Sequence, residues 1–207
     1  MEPKERILVK AHELFNRYGI RSVSMDDIAA QLGMSKKTLY QYYVDKDELV
    51  NAVFEQLFTA KRIECQECRK AGENVIHEVF LAFDMVQDML SNMNPAVLFD
   101  LKKYHPTGFK QFLDFQNNFL YKMIRDNLER GVRDELYRPE IDVDIMTRFR
   151  LHNIMLSFDP EVFPTNKGSL VHIEQQLMEH FLYGMATVKG QKLIQKYKSQ
   201  RTQKITR

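Results

Sequence analysis

A short polar stretch near the amino terminus carries the side chains best suited to contact a nucleic acid. Its hydroxyl, ammonium, amide and phenol groups can donate hydrogen bonds to phosphates and to base edges. These residues are Ser35, Lys36, Lys37, Thr38, Tyr40 and Gln41. If the stretch is helical, Leu39 and Tyr43 share one face, because they lie four residues apart, and can pack inward. The opposite face would then be small, polar and basic, which suits a helix that enters the major groove.

The surrounding sequence predicts two helices that would hold this stretch in place. Ser24 with Asp27 three residues later indicates a capped helix over Met25–Leu32, which a glycine ends. Ser35 then caps a shorter helix over Lys36–Tyr43. Two short helices joined by a glycine-containing turn form a helix-turn-helix. Free amide groups at the start of a helix can bind a phosphate, so both serines are candidate contacts.

Apolar residues recur at helical spacing along the 207 residues, and no segment alternates with the period of a strand. An apolar stripe predicts a first helix over Pro3–Tyr18. Asp45 and Glu48 indicate a cap for a long fourth helix, where Lys46 could reach the DNA backbone. Further helices are expected over 74–92, 95–104, 107–130, 142–158 and 168–188. The sequence therefore predicts an all-α protein, in which a three-helix N-terminal domain is joined by a long helix to a larger helical domain.

The charge is unevenly distributed, although the net charge is only +2. Lys189–Arg207 contains seven basic residues and no acid, whereas the first 50 residues contain eight of each sign. Charge alone therefore favours a solvated surface over a DNA contact in the N-terminal part. We divide the chain into a DNA-binding domain at 1–48, a sensing and dimerisation domain at 49–188 and a basic tail at 189–207. The tail is expected either to be a solvated end or to touch phosphates.

The segment SVSMDDIAAQLGMSKKTLYQYYVDKDELVNAVFE decides between these interpretations. Its hydroxyl cap, Ile-Ala pair, glycine, serine, Leu-Tyr step and acidic-Leu step resemble the N-terminal domain of the TetR family of bacterial transcription regulators. The positions that carry the resemblance are Ser24, Ile28-Ala29, Gly33, Met34, Ser35, Leu39-Tyr40, Tyr43, Lys46 and Glu48-Leu49. It covers about residues 5–55, a quarter of the chain. Lys37 departs from the pattern, because a small residue is frequent there.

The resemblance implies a homodimer that binds double-stranded operator DNA of palindromic sequence and releases it when a small molecule binds. Such a protein is most simply a repressor. The resemblance also implies a role for each matching residue. Phosphates or the DNA backbone would be contacted by Ser24, Ser35, Tyr42 and Lys46. Bases or backbone would be contacted by Lys36, Lys37, Thr38, Tyr40 and Gln41.

Aromatic and methionine side chains at helical spacing in the second half of the chain could line a ligand pocket. The implied ligand is mostly apolar or aromatic, with one or two polar anchors. The alternative is that these side chains form an ordinary hydrophobic core. The candidates are Met85, Met89, Phe99, Phe112, Phe115, Phe119, Phe149, His152 and Met155.

A further apolar stripe predicts the dimer interface, because it recurs every four residues on the last long helix expected. A preceding helix would supply its partner, so that two such pairs form a four-helix interface. The alternative is burial within one subunit. The candidates are Val143, Met146, Arg150, Leu170, Ile173, Leu177, Phe181 and Met185.

Other signals are weaker. Cys65 and Cys68 form a C-x-x-C pair, but two further zinc ligands and the strand expected before a redox motif are missing. We therefore expect no metal, no cofactor and no enzymatic activity. The longest apolar run, Val79–Phe83, is too short to cross a membrane, and few cysteines fit a cytosolic protein. The rival interpretation is a small-molecule binding or protein-interaction module without sequence-specific DNA binding, and an all-α enzyme with an apolar cavity ranks below it.

Overall fold

The computed structural model describes residues 2–159, 161–164 and 169–205. These residues form eleven α-helices and one π-helical turn, with a single isolated bridge between Tyr137 and Ala186 as their only β pairing. The predicted all-α class with an N-terminal helix-turn-helix is confirmed. The helices are α1 (Pro3–Tyr18), α2 (Met25–Leu32), α3 (Lys36–Tyr42), α4 (Lys46–Ala71), α5 (Val75–Asn92), α6 (Ala96–Tyr104), α7 (Pro106–Asp114), α8 (Tyr121–Arg133), α9 (Val143–Leu156), α10 (Leu170–Met185) and α11 (Val188–Ile205).

The helices form two compact units. The first comprises Met1–Arg62 and Asn92–Phe115, and the second comprises Ile63–Ser91 and Gln116–Arg207. The first unit thus holds α1–α3 and also most of α4 together with α6 and α7. These divisions differ from the domain boundaries predicted at residues 48 and 188, because packing joins segments that are distant along the chain.

Local sequence signals explain the bounds of the helix-turn-helix. The Ser24 hydroxyl accepts the Asp27 backbone N–H at 3.1 Å, and the Asp27 carboxylate accepts the Ser24 backbone N–H at 2.8 Å, so the predicted capping box begins α2. Gly33 ends α2 with φ of +65°, a left-handed conformation that glycine adopts without strain. The Ser35 hydroxyl caps α3 by accepting the Thr38 N–H at 3.1 Å.

The apolar faces of the first three helices pack together as the spacing predicts. Leu39 and Tyr43 are buried, and so are Ile28 on α2 and Phe15 on α1. Burying an apolar side chain of this size contributes about 1.5–3 kcal/mol. Such burial, rather than helix propensity, holds a helix as short as α3 in place, because isolated helices of this length are unstable in water.

Within the first unit, the α6–α7 segment supports the helix-turn-helix through hydrogen bonds. The Arg21 backbone N–H, just after α1, donates to the buried carboxylate of Asp100 at 2.9 Å. Directly after the end of α6, His105 is buried and its Nδ1 lies 2.6 Å from Oδ1 of Asp47 at the start of α4. The middle and the C-terminal end of α6 therefore contact Arg21 and Asp47, which flank the α2–α3 pair.

The second unit has its own core, to which α5, α8, α10 and α11 contribute. Its fully buried members include Ile76, Phe80, Leu128, Tyr137 and Met178. The expected helix 168–188 is observed as α10 from Leu170; residue 168 lies outside the described residues. A further helix that the sequence pattern did not predict, α11, contributes to the core of the second unit.

Helix α11 corrects the expectation of a solvated basic end. Ile194 and Tyr197 on its inner face are buried. Lys198 pairs with Glu179 at 2.6 Å, and the Arg201 guanidinium pairs with Asp84 at 2.7 Å. The prediction of a solvated end is therefore wrong for residues 189–201. A few apolar residues at helical spacing anchor the helix, and several of its cations have acidic partners. Residues 206 and 207 lie outside the described residues.

The helix predicted over 107–130 is interrupted by a π-helical turn at Phe115–Leu120, which separates α7 from α8. A π turn contains more residues per turn than an α-helix and therefore rotates the following side chains relative to regular α-helical spacing. Phe119 lies inside this turn, so regular α-helical spacing from Phe112 does not predict the direction of its side chain.

The contact between Gly131 and Tyr137 leads to a stability prediction. A Cβ atom at position 131 would overlap the Tyr137 ring, which is buried and donates its hydroxyl to Asn127 Oδ1 at 3.2 Å. We expect Gly131→Ala to lower the free energy of unfolding by about 2–3 kcal/mol, as overpacking of a core does. Urea unfolding monitored by circular dichroism would measure it. Lys122→Ala, at an exposed position of the same helix, should change stability little, and an equal effect of both variants would contradict the prediction.

Candidate nucleic-acid interface

The outer side of α3 forms one exposed surface, called the reading face below. It contains side chains that the sequence predicts to contact DNA. Its members are Lys36, Lys37, Thr38, Tyr40 and Gln41. Thr38 is half-buried and the other four are exposed, whereas Leu39 points inward. Helix α3 therefore brings these five predicted contacts onto one side of the first unit, next to the start of α2.

The two candidate phosphate ligands at the helix starts are already engaged. The Ser24 hydroxyl donates to Oδ2 of Asp27 at 2.6 Å, and the same carboxylate oxygen accepts the Ser24 backbone N–H. These hydrogen bonds lower the pKa of Asp27, so the carboxylate carries its charge at neutral pH. A phosphate at Ser24 would therefore compete with Asp27. The hydroxyl of Ser35 lies 2.8 Å from that of Thr38.

An acidic residue that is not among the predicted DNA contacts lies against the reading face. The Lys36 ammonium is 2.9 Å from Oδ1 and 3.0 Å from Oδ2 of Asp26, which is on α2. It also lies 5.8 Å from the centroid of the Tyr40 ring. The hydrogen bond to Asp26 and the charge of that carboxylate raise the pKa of Lys36. The two residues are ten apart in sequence, so only the geometry of the turn between the helices brings them together.

The other candidate contacts differ in how freely they can reach DNA. Within the described part of the chain, the exposed Lys37 ammonium has no acidic partner, so it is the freest cation of the reading face. Lys46 is half-buried and donates to the Arg21 carbonyl at 3.4 Å. Burial lowers the pKa of Lys46, and the nearby carboxylates oppose that shift. Tyr42 is half-buried. Lys37 is therefore better placed than Lys46 or Tyr42 to meet DNA without rearrangement.

Three of the pocket candidates belong to the first unit. The rings of Phe112 and Phe115 lie 6.1 and 5.0 Å from that of Phe58 on α4, so the structure places these two candidates around a third aromatic ring. Phe99 is 58% exposed, and the Lys103 ammonium lies 5.3 Å above its ring. Phe99 is therefore open to solvent on α6 in the single chain, and its place in a ligand pocket stays a prediction.

The other pocket candidates belong to the second unit. Four are half-buried, namely Met85, Met89, Phe119 and Met155. Phe149 is 45% exposed and His152 is also exposed, both on the outer side of α9. Like Phe99, these two residues are open to solvent in the single chain, and their place in a pocket stays a prediction. Helical spacing groups residues into a stripe, but it does not tell whether the stripe faces inward.

The predicted dimer stripe faces the interior of its own chain. Ile173, Phe181 and Met185 are buried, while Val143 and Met146 pack against the same core. The Arg150 guanidinium is largely buried and pairs with the buried Glu174 at 2.7 Å. Leu170 and Leu177 are half-buried. For Ile173, Phe181 and Met185 the alternative of burial within one subunit is therefore correct.

The outward faces of α9 and α10 carry a different set of residues. On α9, Ile145 is 58% exposed and lies one turn before Phe149, whose ring centroid is 6.4 Å from that of the buried Phe181. His152 follows on the same side, and its Nδ1 lies 2.9 Å from the Arg148 carbonyl. The exposed positions of α10 recur every four residues, at His172, Gln176 and His180. This surface, called the α9–α10 face below, comprises two exposed large apolar side chains on α9 and three exposed imidazoles on the two helices.

The two cysteines of the C-x-x-C pair lie on α4. Cys65 and Cys68 are both half-buried, and neither forms a disulfide. Burial raises the pKa of Cys68, and the carboxylates of Glu64, Glu78 and Asp84 raise it further, which disfavours the reactive thiolate. In the described part of the chain, no group of three His, Cys, Asp or Glu side chains is arranged to hold a metal ion. Each helix in that part is too short or too polar to cross a bilayer.

Comparison with known proteins adds independent evidence. Residues 7–53 match the family described as bacterial regulatory proteins, tetR family. The uncharacterised HTH-type transcriptional regulator YvaF of Bacillus subtilis (strain 168) is 39% identical over 102 residues, which are 49% of this chain. The chain spans only about half of YvaF, since the alignment covers 53% of that protein.

A second relative aligns over much more of its length. The HTH-type transcriptional regulator SAB2452 of Staphylococcus aureus (strain bovine RF122 / ET3-1) is 38% identical over 169 residues, 79% of this chain and 81% of that protein. A solved TetR-family regulator from Marinobacter aquaeolei VT8 has a TM-score of 0.73 over 97% of this chain and 98% of its own. At 16% identity, that likeness shows the fold alone. These relatives are regulators rather than enzymes, and the chain belongs to the tetR family of bacterial regulatory proteins.

Proposed function

We propose that this chain is a transcription regulator that binds a palindromic operator as a homodimer and is released by a small, mostly apolar molecule. The reading face of α3 is the observation that carries the proposal, because it presents ammonium, amide and phenol groups on a helix that packs through its opposite side. Lys37, Tyr40 and Gln41 would contact bases or backbone. Ser24, Ser35, Thr38, Tyr42 and Lys46 would contact the backbone after local rearrangement of their present hydrogen bonds or packing.

Two copies are required because one short helix reads only a few base pairs. Twofold symmetry of the protein then demands twofold symmetry of the operator, with half-sites spaced by about one helical turn or a multiple of it. The α9–α10 face is the surface we assign to the second copy. Ile145 and Phe149 are too exposed for a core and lie on adjacent turns of one helix, so the same patch on two copies could pack together about a twofold axis.

To release the DNA, the effector must bind the form of the protein that cannot bind DNA more tightly than it binds the DNA-binding form. A coupling of about 1–3 kcal/mol between the two sites is typical. The aromatic rings of Phe58 on α4, Phe112 on α7 and Phe115 at the start of the π-helical turn support an apolar or aromatic effector, since they lie close together within the first unit. Helix α4 begins directly after the helix-turn-helix, so a shift of α4 would move the reading face. Because operator DNA is the proposed partner, the proposed place of action is the bacterial cytoplasm.

A selection from random duplex DNA at 50 and 200 mM salt would test the proposal. We expect a palindromic sequence to be enriched at the lower salt. Its affinity should fall about ten-thousandfold at the higher salt, as for a protein with roughly eight phosphate contacts. Absence of enrichment at both salt concentrations would contradict the proposal and favour a binding module without sequence-specific DNA recognition. Binding to an apolar ligand or to another protein would show no comparable salt dependence.

A further inference from the structure

We infer that Asp26 is a specificity-determining residue, which restrains Lys36 so that this lysine contributes to reading bases and little to sequence-independent attraction for phosphates. The inference rests on the proposed DNA-binding function and adds to it a residue that acts through another. Its basis is the contact of both Asp26 carboxylate oxygens with the Lys36 ammonium, at 2.9 and 3.0 Å, on the surface that faces DNA in the proposal.

The first step concerns the direction in which Lys36 points. A free lysine has many rotamers and can reach any nearby phosphate. Here the ammonium is held between the Asp26 carboxylate and the Tyr40 ring, whose centroid is 5.8 Å away. Both partners belong to the helix-turn-helix, one on α2 and one on α3 itself. The lysine head therefore stays over the outer surface of α3 rather than extending sideways toward the DNA backbone.

The second step concerns hydrogen-bonding capacity. A lysine ammonium has three N–H donors, and one carboxylate uses at most two of them. At least one donor remains for an acceptor such as N7 or O6 of guanine, which carries no net charge and is repelled only weakly by Asp26. A phosphate, by contrast, carries a charge of the same sign as Asp26. Asp26 therefore disfavours a phosphate at Lys36 more than it disfavours a base.

The third step concerns charge. Sequence-independent affinity for DNA grows with the number of cations that meet phosphates, and each such cation steepens the salt dependence. Of the two adjacent lysines that begin α3, the structure pairs Lys36 with an acid and leaves Lys37 without an acidic partner in the described part of the chain. Asp26 thus lowers by one per subunit the number of cations available for sequence-independent binding to phosphates. Lys37 remains available for DNA.

The test compares the full-length protein with Asp26→Asn and Asp26→Ala on two duplexes, the selected operator and a scrambled duplex of equal length and composition. We expect both variants to bind the scrambled duplex about fivefold more tightly, with a slope of log affinity against log salt that is steeper by about one per subunit. Operator affinity should rise less than about twofold, so the ratio of the two affinities falls. Titrations at four salt concentrations would measure affinity and slope together.

Two controls separate this role from a general change in charge. Glu55→Gln removes one negative charge from an exposed position of the first unit, about two and a half turns after the start of α4. It should leave the affinity ratio unchanged. The double variant Asp26→Asn with Lys36→Gln should lose the gain on scrambled DNA, because the effect passes through Lys36.

Three results would overturn the inference. They are an equal effect of Asp26→Asn on both duplexes, no change in the salt slope, and a gain that persists without Lys36. Any of these, with a wild-type protein that still prefers its operator, would refute the role of Asp26 alone. A wild-type protein with no preference for any duplex would refute the proposed function together with this inference.

Discussion

Replacing Lys37 by alanine should weaken operator binding about 50-fold, with the oligomeric state and helix content unchanged. Lys37 is exposed at the start of α3, and in the described part of the chain its ammonium has no acidic partner. Loss of a base contact costs about 1–3 kcal/mol, and the dimer loses two such contacts. Tyr40→Ala should have a comparable effect, because it removes a phenol from the reading face and the ring beneath Lys36. Fluorescence anisotropy with labelled operator would measure both.

Lys102→Ala is the matched control, since Lys102 is an exposed lysine of the same unit that lies on α6 rather than on the reading face. It should bind operator as the wild type does. The pattern over sequences distinguishes two kinds of contact: a lost base contact relaxes the preference at one position, and a lost phosphate contact weakens all duplexes alike. If Lys37→Ala and Tyr40→Ala both bound operator normally, the assigned reading face would be wrong.

The second large effect is expected at the α9–α10 face. Phe149→Asp should convert the proposed dimer into a folded monomer. Phe149 is 45% exposed, so the monomer tolerates a polar side chain there, but a twofold interface would bury two new carboxylates. An interface hot spot contributes about 2 kcal/mol, and symmetry doubles this contribution, so dimer affinity should fall roughly 1000-fold. Analytical ultracentrifugation over a range of concentrations would measure it.

Operator affinity should fall with the dimer, because two linked reading faces bind at a high effective concentration that a monomer lacks. Phe99→Asp is the matched control, since Phe99 is also an exposed phenylalanine but lies on α6 in the first unit. It should leave the dimer intact. A Phe149→Asp protein that remained dimeric would show that the second copy docks elsewhere.

The α6–α7 segment suggests why the reading face is held in a defined position. Two hydrogen bonds attach the segment to the helix-turn-helix, one from the Arg21 backbone to Asp100 and one between His105 and Asp47. Asp100 and His105 are both buried, which makes their polar contacts costly to break. Residues 79 and 58 positions further along the chain thus contact Arg21 and Asp47, which flank α2 and α3.

The sequence by itself determined those features that local physical chemistry specifies. Ser24 with Asp27 and Ser35 with Thr38 form caps within one helical turn, so α2 and α3 begin where these residue types predict. Leu39 and Tyr43 lie inward because a spacing of four defines one side of a helix. The all-α class follows from the same spacing repeated along the chain. In each case the interacting residues are neighbours in sequence.

Only the tertiary structure decided which side of each stripe is covered and by what. Helical spacing placed Phe181 and Met185 on one side of α10, but only packing showed that this side meets the core of its own unit. Helix α11 is a second case. Its many cations predict a solvated end, but Ile194 and Tyr197 are buried in the structure. The Asp26–Lys36 pair and the Arg21–Asp100 contact join different elements. Periodicity describes a surface within one helix, and the partner of that surface depends on the free energy of packing the whole chain.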